Sequence, residues 1–248
     1  MRALSVWMLG YPDAALIDCD QAVSDAREIG LVTTLMPALL YTSIVHILCG
    51  NNAMANDQAN ELVALADDKG SALWKAVGVL LQGTILALAR KSSEAEQTIT
   101  TGIGALRSTG STLWTPLWAS CLAKSYGDLG RFADARRWMN EALTTIEASN
   151  ERLFEPEVHR TAGEIAFLAP EPDFREAESH FARSLATARQ QNAKSWELRA
   201  AISLARFWRD QGECDKAIKL LSSIYGWFTE GLGTRDLRET KVLLEELR

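Results

Sequence analysis

The chain repeats itself every forty residues, and that period constrains its fold more tightly than any other feature. Gly10, Gly50 and Gly130 stand multiples of forty apart, and Arg90 takes the missing place between the last two. A two-residue slip at Pro170-Glu171-Pro172 brings Gly212 into the same column. A second column holds Gly30, Gly70, Gly110, Asn150 and Asn192. Glycine and asparagine tolerate the left-handed backbone that ends a helix, so both columns read as helix stops. The phrase Gly-Ser-x-Leu-Trp, at 70–74 and again at 110–114, is the most visible trace of the copying. There Ser71 and Ser111 are placed to cap the next helix, with the tryptophan in its first turn.

Five residues after the first column stands an alanine in every copy: Ala15, Ala55, Ala95, Ala135, Ala177 and Ala217. Small or apolar residues follow at offsets of four, seven and eight, as in Met139, Ala142 and Leu143. That spacing is one face of an α-helix, with the alanine where a neighbouring helix approaches closely. No stretch alternates with the period of two that a strand requires. The fold class expected is all-α: a solenoid of about six antiparallel helix pairs, each helix roughly four to five turns. The units run about 1–30, 31–70, 71–110, 111–150, 151–192 and 193–231, in one domain spanning 1–248 with a C-terminal capping helix at 234–247. The period exceeds the 34 residues of a tetratricopeptide unit. Even so, LGRFADARRWMNEAL at 129–143 resembles the second half of that motif.

Two places look irregular. Gly102 falls inside a helix, at a cost of roughly 1 kcal/mol relative to alanine, which makes 90–104 the expected mobile stretch. Leu4, Val6, Trp7 and Leu9 give the first copy an apolar outer surface, which a terminal repeat should not expose. Upstream sequence covering that surface is the expectation.

The net charge of −6 disfavours direct nucleic-acid binding, which needs a basic surface. Cys19, Cys49, Cys121 and Cys214 form no CxxC pair and read as small core residues of a reduced, cytoplasmic protein. No run of eighteen uninterrupted apolar residues suggests a membrane span. DDKGS at 67–71 lacks the glycines of a phosphate loop, and GIGALRSTG at 102–110 lies within a helix rather than after a strand. His46, His159 and His180 occupy unrelated repeat positions without metal-ligand spacing. Glu155 and Glu157 stand where carboxylates complement a helix N-terminus. No catalytic residue, metal or cofactor is expected.

Surface is what remains. Trp114, Leu117, Ser120 and Lys124 share the helix face expected to line the concave groove. The tryptophan column reads Thr34, Trp74, Trp114, Phe154 and Trp196 across the copies. Such a ladder could grip a peptide, as buried aromatic anchors do. Its recurrence favours packing instead, each ring wedged between its own helix and the one before. Arg199, Arg206 and Arg209 form a second candidate on the same face, flanked by Arg160 and suited to carboxylate or phosphate. Glu197 and Asp210 stand close enough in sequence to neutralise part of that stripe.

EPEVHRTAGEIAFL at 155–168, the stretch from Phe181 to Gly212, and LGYPDAALIDCDQAVSDAREIG at 9–30 carry a more specific likeness. They resemble the C-terminal helical repeats of large bacterial signalling proteins. In these a MalT/LuxR-like predicted ATPase precedes the repeats, and an adenylate/guanylate cyclase or winged-helix DNA-binding domain lies at the far N-terminus. The resemblance implies the non-catalytic sensor or interaction end of such a regulator. Its partner would be a protein or peptide, including its own upstream ATPase, cyclase or DNA-binding domains, with no membrane contact. A small-molecule effector sensor is the alternative, and a cyclase or ATPase whose catalytic domains lie outside this chain is the third.

Overall fold

Both glycine columns do what their residue types allow. Gly10, Gly30, Gly50, Gly70, Gly110, Gly130 and Gly212 all take positive φ, and so do the substitutes Arg90, Asn150 and Asn192. These stops divide the chain into helix pairs in a computed structural model that describes all 248 residues. The pairs are α1 (Arg2–Met8) with α2 (Pro12–Ile29), α3 (Val32–Cys49) with α4 (Asn52–Asp68), and α5 (Ala72–Leu88) with α6 (Ser92–Ser108). Then come α7 (Thr115–Asp128) with α8 (Phe132–Ser149), α9 (Glu155–Leu168) with α10 (Phe174–Gln190), and α11 (Lys194–Asp210) with α12 (Cys214–Tyr225). A last helix, α13 (Arg235–Glu246), follows. The result is an all-α solenoid of tetratricopeptide-like repeats.

The alanine column is the hinge of each pair: all six alanines are fully buried. Gly102 belongs to the same economy rather than to a weak spot. A Cβ there would stand 2.7 Å from Leu80, and one at Gly83 would stand 2.6 Å from Ile99. Missing side chains let α5 and α6 approach closely, so the expectation of a loose 90–104 gives way to a packing role. Helix α3, eighteen residues long with mean hydropathy 1.7, is long and apolar enough to span a bilayer, yet 61% of it lies buried inside the fold. It packs against α1, α2, α4, α5 and α13.

Odd-numbered helices stand side by side on the inside, each touching the next odd one, while the even ones back them. The row curves until it meets itself: α11 contacts α1, and α13 contacts α3. At this seam Trp7 sets its ring edge-on to Trp196, with centroids 4.7 Å apart. The Ser195 hydroxyl donates to the Trp7 carbonyl. The Gly231 N–H donates to Asp13 at 2.8 Å, and the Ala14 N–H donates to Glu230 at 3.0 Å. Gly231 has φ +69° and lies so near Pro12 that an added Cβ would come within 1.9 Å. Trp7 is thus covered by the far end of this same chain and Leu4 is buried too, while Val6 is half-buried and Leu9 remains exposed. Helix α13 does more than cap, because Leu237, Thr240 and Leu243 are buried within the seam region.

Candidate functional site

Closure converts the concave groove into a well. About 290 Å³ of space lies on the axis, bounded by α3, α5, α7, α9, α11, the start of α13 and Arg90 just beyond α5. An aromatic stack stands beside it. Tyr41 meets Trp114 at 5.3 Å, Trp114 meets Phe154 at 5.2 Å, Phe154 meets Trp196 at 6.1 Å, and Trp196 meets Trp7. Edge-to-face contacts of this kind add about 0.5–1.5 kcal/mol each beyond area burial.

The tryptophan ladder of the sequence therefore splits. Trp114 and Phe154 are buried ring against ring and offer no face to a ligand, while Trp196 is buried and also borders the well. Trp74 remains half-buried outside the stack, and Tyr41 supplies the aromatic that Thr34 does not. The rings pack, as recurrence favoured, but their aromatic partners are one another. The rest of the α7 face lies as its spacing indicated: Leu117, Ser120 and Lys124 all line the well.

The arginine stripe also splits. Arg160, Arg199 and Arg206 line the well; Arg209 turns outward to Asp210 and Glu246. Glu197 does not touch the stripe, because it is held by Arg189 and Lys194 at 2.7 Å each. What neutralises the arginines was less visible in sequence. Glu157 accepts from both buried guanidinium groups, from Arg160 at 2.7 Å and from Arg199 at 2.9 Å. Arg160 reaches on to Glu164 and to the Ser203 hydroxyl, and Arg199 reaches Asp236 through two bonds of 3.0 and 3.1 Å. Arg235 then closes on Asp236 at 3.3 Å. An alternating chain of charge, Glu164–Arg160–Glu157–Arg199–Asp236–Arg235, thus ties α9 to α11 and α13.

Burial pushes the Glu157 carboxyl up, but the two guanidinium groups outweigh it and hold it well below the usual carboxylate range. Burial likewise lowers Arg199, and Asp236 with Glu157 raise it far above its ordinary value. Glu157 is therefore a fixed acceptor rather than a free base, and its position in the first turn of α9 is only part of its role. Ion chains this buried are costly to break, because a lone partner would stay behind desolvated.

Two further groups escaped sequence reasoning. Cys121 lines the well, and burial pushes its thiol up to about 11. His159 and His180 meet across α9 and α10 with their Nδ1 atoms 3.1 Å apart. Burial first, then His180 and Arg183, lowers His159 to about 4. The twenty-one-residue separation of these histidines matches one helix-and-turn, a signal available in the repeat register.

Residues 118–152 match the tetratricopeptide repeat family. Among solved structures, the chain is similar to the crystal structure of BtubC (BKLC) from P. vanneervenii, with 16% identity and a TM-score of 0.58. That likeness covers 86% of this chain and 89% of the other, and at this identity it is one of fold. No curated protein matches the chain in sequence. Tetratricopeptide repeats generally mediate protein–protein interaction and are typically non-catalytic, so the chain has the fold of an interaction scaffold.

Proposed function

We propose that this chain is a non-catalytic, signal-sensing repeat module that holds a small effector in its central well and meets protein partners on its outer surface. The observation that carries this reading is the closed inner face. An extended peptide needs an open groove along which to lie, whereas the ring leaves a pocket of about 290 Å³ at the small end of the ligand-site range. A ligand there would touch five or more inner helices at once, so its binding energy would bear on the closure itself.

The likeness of 9–30, 155–168 and the Phe181–Gly212 stretch to the repeats of bacterial regulators supports a cytoplasmic setting beside an ATPase, cyclase or DNA-binding output domain. In that setting the effector would shift the module between states that the output domain reads. The test is a thermal-shift panel of small polar metabolites, repeated on Leu88→Trp, which fills the well from its apolar wall. At least one metabolite should stabilise the wild type saturably and lose its effect on the variant. Stabilisation that survives Leu88→Trp would sink the reading.

A further inference from the structure

The charges around the well do not balance, and the surplus lies at its rim. Six cations and five carboxylates line it, in a chain whose net charge is −6. Below the rim the alternating chain compensates itself, and Arg206 is matched by Glu239 at 2.6 Å. Lys124 has only Asp128, at 3.6 Å, beyond a good hydrogen bond. Arg90 lines the well and pairs with nothing.

Arg90 is also out of character for its place. It holds a left-handed φ of 58° where four of the five equivalent turns use glycine. Deeper down, Trp196 borders the well and its buried indole N–H has no hydrogen-bond partner. Between rim and depth the walls are apolar: Ile47, Leu48, Leu88, Leu117 and Ile202.

Building on the effector reading above, we infer that the well's ligand is a small organic monoanion: a carboxylate on a short apolar body. Its carboxylate meets Arg90 and Lys124 at the rim, and its body rests on the aliphatic walls. A dianionic phosphate monoester fits less well, because Asp128 and Glu239 face the rim and no second unpaired guanidinium offsets the extra charge.

Cys121 supplies a reporter already inside the well. Its alkylation by iodoacetate and by iodoacetamide, compared at pH 9 by peptide mass spectrometry, reads the local preference for anions over neutral molecules. Arg90→Gly restores the residue of the sister copies and so keeps the fold, while Arg90→Lys keeps the charge. The iodoacetate-to-iodoacetamide ratio at Cys121 should fall about threefold or more in Arg90→Gly and recover in Arg90→Lys. In the wild type, 3-phenylpropionate should protect Cys121 from iodoacetamide better than 3-phenylpropanol or phenyl phosphate does. A ratio unchanged by Arg90→Gly, with iodoacetamide still entering, overturns the anion assignment and leaves the effector well standing. Equal or better protection by phenyl phosphate overturns the carboxylate in favour of phosphate. Failure of both reagents to reach Cys121 removes the well and the anion together.

Discussion

Residues 70–76 and 110–116 share Gly-Ser-x-Leu-Trp, yet they fold differently. In the earlier copy the helix begins two residues after Gly70, at Ala72, and Trp74 is helical and half-buried. In the later copy the helix waits until Thr115, and Trp114 stands outside it as the N-cap with φ 53°. Ser71 occupies the cap position without a side-chain bond, while the Ser111 hydroxyl accepts from the Leu113 N–H in a turn before the helix. The delay swings Trp114 into the axial stack. Copy five repeats the late start, with Phe154 as N-cap and Pro156 in the first turn.

Two residues coincide where this happens. Proline is well tolerated in the first turn of a helix, so Pro116 and Pro156 favour a start near 115 and 155. Copy two has Met36 at that position, with Pro37 one residue later inside α3, which runs unbroken from Val32. That copy has Thr34 in the aromatic column and nothing large to bury. Copies three and six have the tryptophan without the proline and start early, although Trp196 still reaches the stack from within its helix. Only where both occur does the helix yield its first turn to bury a ring. The left-handed strain at Trp114, roughly 1–2 kcal/mol, is smaller than the roughly 3–5 kcal/mol that burying such a ring contributes.

The contrast can be broken most forcefully by deleting the rings. Trp114→Ala should destabilise the fold by about 3–5 kcal/mol in urea unfolding, and Trp74→Ala by less than half as much. Equal losses would mean that Trp114's place in the stack is worth nothing. Acid should separate the copies next. His159 is held neutral in the fold, so the unfolded chain binds the extra proton and stability falls as pH drops below its ordinary 6.5 toward 4. The loss should reach about 3 kcal/mol at pH 4, with amide exchange rising first in α9 and α10. His159→Gln should flatten that dependence, and an unchanged pH profile would contradict the pairing. The gentlest test is Pro116→Ala, which lets α7 start earlier. It should alter stability by about 1 kcal/mol or less, since relief of strain offsets lost burial. Newly protected amides at 112–115 are the signature to measure.

How far the fold was legible follows from the same residues. Glycine and asparagine columns declare helix ends through backbone sterics alone, which a single chain position carries. The alanine column declares close helix contact in the same local way. Closure was not legible, because it depends on summed small rotations between copies and on distant partners such as Trp7 with Trp196. The site shares that division. Lys124, Arg160, Arg199 and Arg206 fell on one face by helical arithmetic, but Glu157 and Asp236 reach Arg199 from other helices. Arg209, one turn too far along α11, left the well for the surface. Arg90 was visible only as a missing glycine, its use hidden until the ring had formed.

The seam between Trp7 and Trp196 also sets a count. An open solenoid gains or loses copies one at a time, since each repeat meets only its neighbours. A row of helices that joins its own beginning has no such liberty. One copy more would carry α11 past α1, and one fewer would leave Gly231 without Pro12 to pack on. The forty-residue period is thus tied, through this one contact, to the number of copies that bring the two tryptophans together.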